Sequence, residues 1–366
     1  MKQALGSLLA LSVLLFPFGV YVSGECSAGG EDHVCAKLYG YVKLDASYDT
    51  RQIDVGNFAR WVENTAAENG YLSITARQTR LGLSLKGPET ESVIATGKIE
   101  FDLYGGGAEN KNVPMMRHAF VKIWWKKLGL GLLAGQTGDV ISPLVPSTVN
   151  YPVLWWCGNV GYRRPQLRVS KLVSAGKFLL SVDLAAARAI GAESEGEPIF
   201  QYRLGVKFPF LSGKAAQVGF SGHTGKESAN RRTSSINIDV SLPVSSLLAL
   251  KVEFWQGKNL AAYLGCIGQS LTTDVNGKGG WIAVSFGPIG AVKFNAGYGF
   301  DDPDDGDVKA GGGVRLKNSS VFANVFYSLN KAVVMAFEAS RWMTEYVPGT
   351  VTRDAFRGQF SIMYKL

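Results

Sequence analysis

The residues able to carry out chemistry fall into no enzyme motif. Gly222–Lys226 resembles a phosphate-binding loop, but Glu227 stands where the motif needs Ser or Thr. No G-x-S-x-G nucleophile motif occurs, and the four Cys and three His lack the spacing of a zinc site. Asp301–Asp307 misses the spacing of a calcium-binding EF-hand, so we interpret it as a solvated outer loop. The sequence therefore predicts a protein that is not an enzyme and has no metal, cofactor or nucleic-acid partner.

Charged side chains at alternating positions carry the clearest chemical signal. The basic ones are Arg80, Lys86, Lys98, Lys122, Arg168, Arg203, Lys207, Lys251, Lys293, Arg357 and Lys365. The acidic ones are Glu100, Asp102, Asp183, Asp239, Glu253 and Glu338. Eleven basic against six acidic groups leave a net charge of +5, which would concentrate anions if these faces surround water. Two alternatives stay open: the basic groups pair with these acids, or they bind lipopolysaccharide phosphates outside.

These faces belong to segments whose hydrophobic pattern has the period of two that is typical of β-strands. Thr79–Lys86, Val93–Tyr104 and Val292–Phe300 all alternate apolar with polar or small residues. Such segments are longer than the ~5–6 residues of soluble strands and match the ~9–11 that cross a bilayer at a tilt. A secreted β-sandwich would show the same alternation. Charges on the polar face of strand after strand favour a wet lumen, and therefore a transmembrane β-barrel.

The composition agrees with a membrane barrel. Charged residues form 19% of the 366-residue chain, against about 25% in soluble domains. After residue 24 no apolar run reaches the ~18 residues of a membrane helix, which excludes a helical membrane protein. We expect the aromatic residues near strand ends to form girdles at the membrane interfaces: Tyr39, Tyr41, Trp124, Trp125, Tyr327 and Tyr346.

Sixteen antiparallel strands account for residues 37–366 as a single all-β transmembrane domain. They are predicted at 37–48, 72–86, 93–104, 116–125, 129–137, 164–173, 177–188, 200–208, 215–223, 233–242, 248–257, 280–287, 290–300, 313–329, 332–344 and 353–366. The segment 313–329 must be one strand, because only then do short and long connections alternate as in bacterial outer-membrane barrels. A barrel of this size leaves an aqueous channel.

The connection from Gly138 to Tyr162 is the candidate pore-constricting loop. It holds three prolines and the apolar run Val153–Trp156, a composition poorly suited to an exposed surface. We expect it to fold into the barrel, narrow the pore and meet the lumen arginines. The alternative is a loop that latches onto a neighbouring subunit.

The N-terminus predicts export. Residues 1–24 have the pattern of a signal peptide, with Lys2, the apolar stretch Leu8–Val22 and a small-residue cleavage site ending at Gly24. Residues 25–36 would then form a short N-terminal segment. Export permits disulfides, and a local Cys26–Cys35 bridge fits the spacing, whereas nothing in the sequence indicates that Cys157 and Cys266 meet.

Several motifs, in order, resemble the DcaP-like family of outer-membrane porins. They are Arg77–Gly82, Ile99–Gly105, Arg117–Phe120, Ala134–Thr137, Asn159–Arg163 and Arg357–Ser361. The resemblance implies a homotrimer of sixteen-stranded barrels that passes small negatively charged solutes, dicarboxylates among them. Carried over by position, the residues that would line or shape its narrow zone are Arg80, Glu100, Asp102, His118, Arg163 and Arg357. The N-terminal coiled coil of some members is absent here.

We therefore expect a passive diffusion channel for small organic anions, embedded in the lipid of a bacterial outer membrane. Its pore-lining residues would be Arg80, Lys98, Glu100, Asp102, His118, Arg163, Arg168, Arg203 and Arg357. Arg80 and Arg357 are expected to act from one wall, because the last strand of a closed barrel pairs with the first. Which way Arg117 and His118 face stays open, because the Trp124-Trp125 pair blurs the register of their strand. The alternatives are a phosphate-type anion porin, or a structural or adhesive barrel plugged by the 138–162 loop.

Overall fold

The chain forms one antiparallel sheet that closes on itself. The structure, a computed structural model, describes residues 20–22, 34–189, 196–211, 213–228, 231–347 and 351–366. Its strands are β1 (Val20–Val22), β2 (Val34–Asp49), β3 (Tyr71–Thr75), β4 (Arg80–Glu89), β5 (Val93–Asp102), β6 (Met115–Trp125), β7 (Leu130–Gly138), β8 (Arg163–Ala175), β9 (Phe178–Ala187), β10 (Ile199–Leu211), β11 (Lys214–Ser228), β12 (Arg231–Pro243), β13 (Leu248–Lys258), β14 (Asn276–Ile289), β15 (Val292–Pro303), β16 (Arg315–Ser328), β17 (Val333–Tyr346) and β18 (Val351–Lys365).

Helices are few and short. Two single turns of 3-10 helix lie at Ala261–Tyr263 and Cys266–Gly268, and one α-helix, α1, covers Asp305–Ala310. Within the described ranges, no helix combines the length and the apolar character needed to cross a membrane.

Pairing of the last strand with the first long one closes the barrel. Strand β18 pairs antiparallel with β2, with Gln359 opposite Ser47. Strands β3 and β4 both pair with β2 and are two parts of one barrel strand, while β1 adds a short parallel pairing to β2. The barrel therefore has sixteen strands, as the sequence predicts. The segment 72–86, predicted as one strand, is interrupted between Thr75 and Arg80, where Thr79 accepts a hydrogen bond from the Lys43 amide.

Inward and outward faces follow the predicted alternation. On β18, Arg357, Gln359 and Ser361 point inward and are buried, whereas Phe356 and Phe360 point outward and are exposed. A closed barrel leaves no unpaired strand edge, and its apolar outer surface suits hydrocarbon. This is the architecture of a barrel that lies in a bacterial outer membrane.

The predicted aromatic girdle is partly wrong. The side chains of Tyr39 and Tyr346 point inward, because their hydroxyls donate to Glu100 and to the Val62 carbonyl. Tyr41 also faces the lumen, where it lies beneath the Arg80 guanidinium. Tyr327, in contrast, is exposed on the outer surface. Alternation identifies a strand, but a tyrosine fits either face because its ring is apolar and its hydroxyl is polar.

The connection between β7 and β8, here called the constriction loop (residues 139–162), folds into its own barrel. Its backbone amides donate to wall side chains on three different strands: Val140 to Gln201, Leu144 to Glu253, and Val149 to Glu338. The contacts run along the wall from β10 to β17. The expectation of a pore-constricting loop is therefore confirmed, and the loop occupies its own lumen.

Apolar side chains beneath this loop form the core of the molecule, which lies inside the barrel. Leu154 and Cys157 of the loop pack with Trp281 and Trp342 of the wall. At Gly158, with φ +110°, an added Cβ would lie 2.2 Å from the carbonyl oxygen of Gly280, so the loop backbone lies directly on β14. Of the apolar run Val153–Trp156, Leu154 therefore packs against the barrel wall, whereas Val153 and Trp155 line a cavity.

The cysteines are in two different states. Cys35 is disulfide-bonded, whereas Cys157 and Cys266 are buried and form no disulfide. Cys26 and all of the predicted signal peptide except Val20–Val22 lie outside the described residues, so the Cys26–Cys35 bridge and the cleavage site stay predictions.

Glu338 should be the main anchor of the constriction loop. Its carboxylate accepts from Thr148 Oγ1, Val149 N and Asn324 Nδ2 at 2.7–2.8 Å. Because hydrogen bonds to a charged group contribute about 1.5–3 kcal/mol each, Glu338→Ala should release this part of the loop and raise single-channel conductance. The same change at Glu91, exposed in the short β4–β5 turn, is the control and should leave conductance unaltered. Equal conductance of both variants would contradict the anchoring role.

Candidate pore constriction

A β-bulge in strand β6 turns two successive polar residues into the lumen. The β5–β6 pairing places Glu100 opposite His118 and Phe101 opposite Met116, so Arg117 is an extra residue in its strand. Arg117 contacts lumen carboxylates, and His118 Nδ1 lies 3.0 Å from Thr137 Oγ1. The bulge settles the orientation that the sequence leaves open: both residues face inward.

Glu100 is the centre of a cluster of charges on this wall. Its carboxylate accepts from Tyr39 Oη at 2.8 Å and from Arg117 Nε at 2.9 Å. Lys98 Nζ lies 3.3 Å away, and Arg80 Nε lies 3.6 Å away. Glu100 is nearly inaccessible to solvent, whereas Arg80 and Lys98 are partly exposed. The side chains of Arg80 and Lys98 are therefore in contact with water in the lumen, whereas the Glu100 carboxylate is shielded from it.

Asp102 joins the barrel wall to the constriction loop. It accepts from Arg117 Nη1 at 2.5 Å and from the Tyr151 hydroxyl at 3.1 Å. Burial raises the pKa of Tyr151, so its hydroxyl stays a neutral donor at physiological pH. Asp102 is fully buried, and its charge is compensated within this network.

Arg163 is buried, and none of the ion pairs among the described residues includes it. Its side chain is only 8% exposed, yet Nη2 has no hydrogen-bond partner among the described residues. The guanidinium carbon lies 4.7 Å from the ring centre of Tyr162 and 5.4 Å from that of Trp155. Burial of a guanidinium without a counterion costs free energy, so this position favours the binding of an anion.

Two adjoining cavities meet at these residues. The outer one, about 270 Å³, is lined by loop residues and by Arg77, whose guanidinium contacts the carbonyls of Leu103 and Gly106. The inner one, about 470 Å³, is lined by Arg80, Arg117 and His118 together with the constriction loop. The side chains common to both are Tyr151, Trp155, Tyr162 and Arg163. These four side chains form the boundary between the two cavities.

Three of the predicted pore residues have a structural role instead. Arg168 Nη2 donates to the Gly138 carbonyl at 2.5 Å and so holds the start of the loop. Arg203 is buried, and its Nη2 donates to both carboxylate oxygens of Asp239, at 2.7 and 3.0 Å. Arg357 is 2% exposed and is paired with Asp49 at 2.8 Å.

The structure also separates Arg357 from Arg80. On β2, Arg357 is opposite Asp49 and Arg80 is opposite Tyr41, eight residues away, or about 26 Å along the strand. Arg357 also donates to the Gly56 carbonyl of the 50–70 loop, which lies over it. This corrects the expectation that the two arginines act together: they share a wall but lie at different depths.

The motifs rejected on sequence grounds are structural. Gly222–Lys226 lies within strand β11 and pairs with β12, so it forms no loop around a phosphate. His223 in this segment stacks on Tyr263 at 3.9 Å. In the described part of the chain, no cluster of His, Cys, Asp or Glu is arranged to hold a metal ion.

Comparison with known proteins identifies the fold. No protein-family model matches the chain, and no curated protein is similar to it. Among solved structures, the outer-membrane channel DcaP of Acinetobacter baumannii superposes with a TM-score of 0.72 at 17% identity, covering 93% of this chain and 99% of that one. The anion-selective porin from Comamonas acidovorans gives 0.61 at 13% identity, covering 91% and 100%. The chain has the fold of an outer-membrane porin.

The solved structures in this comparison also include OmpT, an outer membrane protein of Vibrio cholerae, in a trimer form, with a TM-score of 0.57 at 12% identity, covering 92% of this chain and 100% of that one. The resemblance to DcaP-like porins that the motifs indicate is therefore supported by the fold of the whole barrel.

Arg117 should be needed for stability and Arg80 should not. Arg117→Ala leaves Glu100 and Asp102 without their closest cation, and breaking a buried ion pair costs about 3–5 kcal/mol. Arg80→Ala is the matched control, because Arg80 is partly exposed and lies 3.6 Å from Glu100. The measurement is the urea midpoint for unfolding in detergent. Equal midpoints for the two variants would contradict the structural role of Arg117.

Proposed function

We propose that this protein is a passive outer-membrane channel with a preference for small organic anions. One observation carries the proposal: around the boundary between the two cavities, basic groups outnumber acids. The basic groups there are Arg77, Arg80, Lys98, Arg117 and Arg163, against Glu100, Asp102 and Asp139. Because Glu100 and Asp102 are buried and paired with Arg117, and the Asp139 carboxylate is buried and paired with Arg164, the charge that a passing solute meets is positive.

The chemistry of arginine suits this role. A guanidinium donates two parallel hydrogen bonds to a carboxylate, which a lysine ammonium does not do. Arg80 Nε and Arg163 Nη2 are buried without a hydrogen-bond partner in the described part of the chain, so neither guanidinium is fully satisfied by the protein. The resemblance to DcaP-like porins, and the printed anion selectivity of the Comamonas porin, agree with dicarboxylates and similar anions as solutes.

The alternatives predict different electrical behaviour. A structural or adhesive barrel plugged by its loop would not conduct, whereas cavities of about 270 and 470 Å³ support an open passage. A phosphate-type porin would prefer inorganic phosphate to organic anions of the same charge. Single-channel recording in potassium chloride, followed by replacement of chloride, separates the three.

Removal of Arg80 and Arg163 together should reduce anion preference. Arg80→Ala combined with Arg163→Ala is expected to shift the reversal potential in a potassium chloride gradient toward cations. The change should be on the order of 1 kcal/mol per charge, as expected for charges about 4 Å apart in a wet channel. The matched control is Arg341→Ala, because Arg341 is exposed and pairs with Asp354 at 3.1 Å. An unchanged reversal potential in a folded double variant would contradict the site assignment.

We also propose a homotrimer. Val333, Met335 and Phe337 alternate with buried residues on β17, so they face outward and offer an apolar surface to a neighbour. Native mass spectrometry of detergent-extracted protein should show three copies. A monomer under mild extraction, with barrel strands still intact by circular dichroism, would contradict the assembly without affecting the pore assignment.

A further inference from the structure

The constriction loop presents an apolar surface to the inner cavity. No charged residue occurs between Asp139 and Arg163 in the sequence, and Asp139 itself is paired with Arg164 at 2.7 Å. The loop side chains that line the inner cavity include Ile141, Pro143, Leu144, Val145 and Val153. Val145 is 46% exposed there. An apolar surface that faces a water-filled passage is unusual, and it indicates that the apolar part of a solute contacts it.

The opposite side of the same cavity is basic. Arg80 and Arg117 project from the wall of strands β4 and β6, and Arg163 lies at the boundary with the outer cavity. The loop acid that lines this cavity, Asp139, is paired with Arg164, so no strong transverse field orients dipolar solutes here. A solute crossing the cavity meets cations on one side and hydrocarbon on the other.

We propose that the constriction selects amphiphilic anions, molecules with one anionic head and an apolar body, such as alkanoates of medium length. This rests on the proposed function, because it names the solute class of the same passage. The head replaces the missing counterion of Arg163, and the body covers loop side chains such as Val145 and Val153. Polyhydroxylated anions of the same charge would pair with Arg163 but would gain no apolar contact with the loop.

The inner cavity has the dimensions for such a solute. A volume of about 470 Å³ lies within the ~300–1,000 Å³ range of ligand sites, and its lining combines apolar loop side chains with polar and charged groups. The boundary beside it is built from Tyr151, Trp155 and Tyr162, whose rings offer further apolar contact. Burial of methylene groups here removes their surface from water and lengthens the residence of the solute.

The test is a series of butanoate, pentanoate and hexanoate applied to single channels at neutral pH. The measured quantity is the concentration of each that halves the chloride current. Full burial of one methylene corresponds to about a fourfold gain in binding, so this concentration should fall two- to fourfold with each added carbon. A channel that only sieves by size would bind all three equally, and a half-blocking concentration that is constant or rises with length overturns the proposal.

Two variants locate the effect. Val145→Thr with Val153→Thr keeps the side-chain volume but replaces one methyl of each side chain by a hydroxyl, and it should weaken the dependence on chain length. Arg163→Gln should raise the half-blocking concentration for all three alkanoates while keeping their order. Retention of the full chain-length dependence in the double threonine variant would overturn the assignment to the loop. Heat-dependent gel mobility confirms that each variant forms a folded barrel.

Failure of this inference is distinct from failure of the proposed function. Anion selectivity is measured separately, as the reversal potential of the unaltered channel in a potassium chloride gradient. An anion-selective channel without chain-length dependence keeps the proposed function and removes the inference. A channel without anion selectivity removes both.

Discussion

The structure depends on the pairing of strand β18 with strand β2. In hydrocarbon, an unpaired backbone amide or carbonyl has no water to bind, so a sheet in a membrane must have no free edge. The antiparallel pairing of Arg357–Lys365 with Tyr41–Asp49 satisfies this requirement. Closure also divides the connections into a short-turn end and a long-loop end, and the loops that enter the lumen all come from the long-loop end.

A barrel of sixteen strands is too wide for wall side chains to fill, so narrowing requires additional chain. The constriction loop supplies it, and the wall provides acceptors for the loop amides that leave water. Glu253 and Glu338 accept from Leu144 and Val149. Since a buried carboxylate without hydrogen bonds is unfavourable, each acid and each amide stabilises the other. The acids on this wall therefore position the loop.

The two sides of the lumen differ because the constriction loop lies mainly against one of them. The loop covers the wall from β10 to β17 and leaves the wall around β4, β5 and β6 open. On the covered wall, arginines are paired, as Arg203 is with Asp239. On the open wall, Glu100 and Asp102 are paired with Arg117, and Arg80 of β4 lines the inner cavity together with Arg163 at the start of β8. In the proposed channel, the positive character of the passage results from where the acids are buried.

The sequence by itself determined the barrel, its sixteen strands and the apolar loop, because alternation and turn spacing are local properties that the lipid–water boundary imposes on every strand. It also indicated Arg80, Glu100, Asp102 and Arg163 as residues of the narrow zone. Tertiary structure alone decided which charges are compensated. The bulge at Arg117, visible in sequence only as a break in the alternation, brings that side chain to Glu100 and Asp102. Arg357 looks like Arg80 in the pattern, but Asp49 and the 50–70 loop bury it, since such pairing depends on strands and loops distant in the chain.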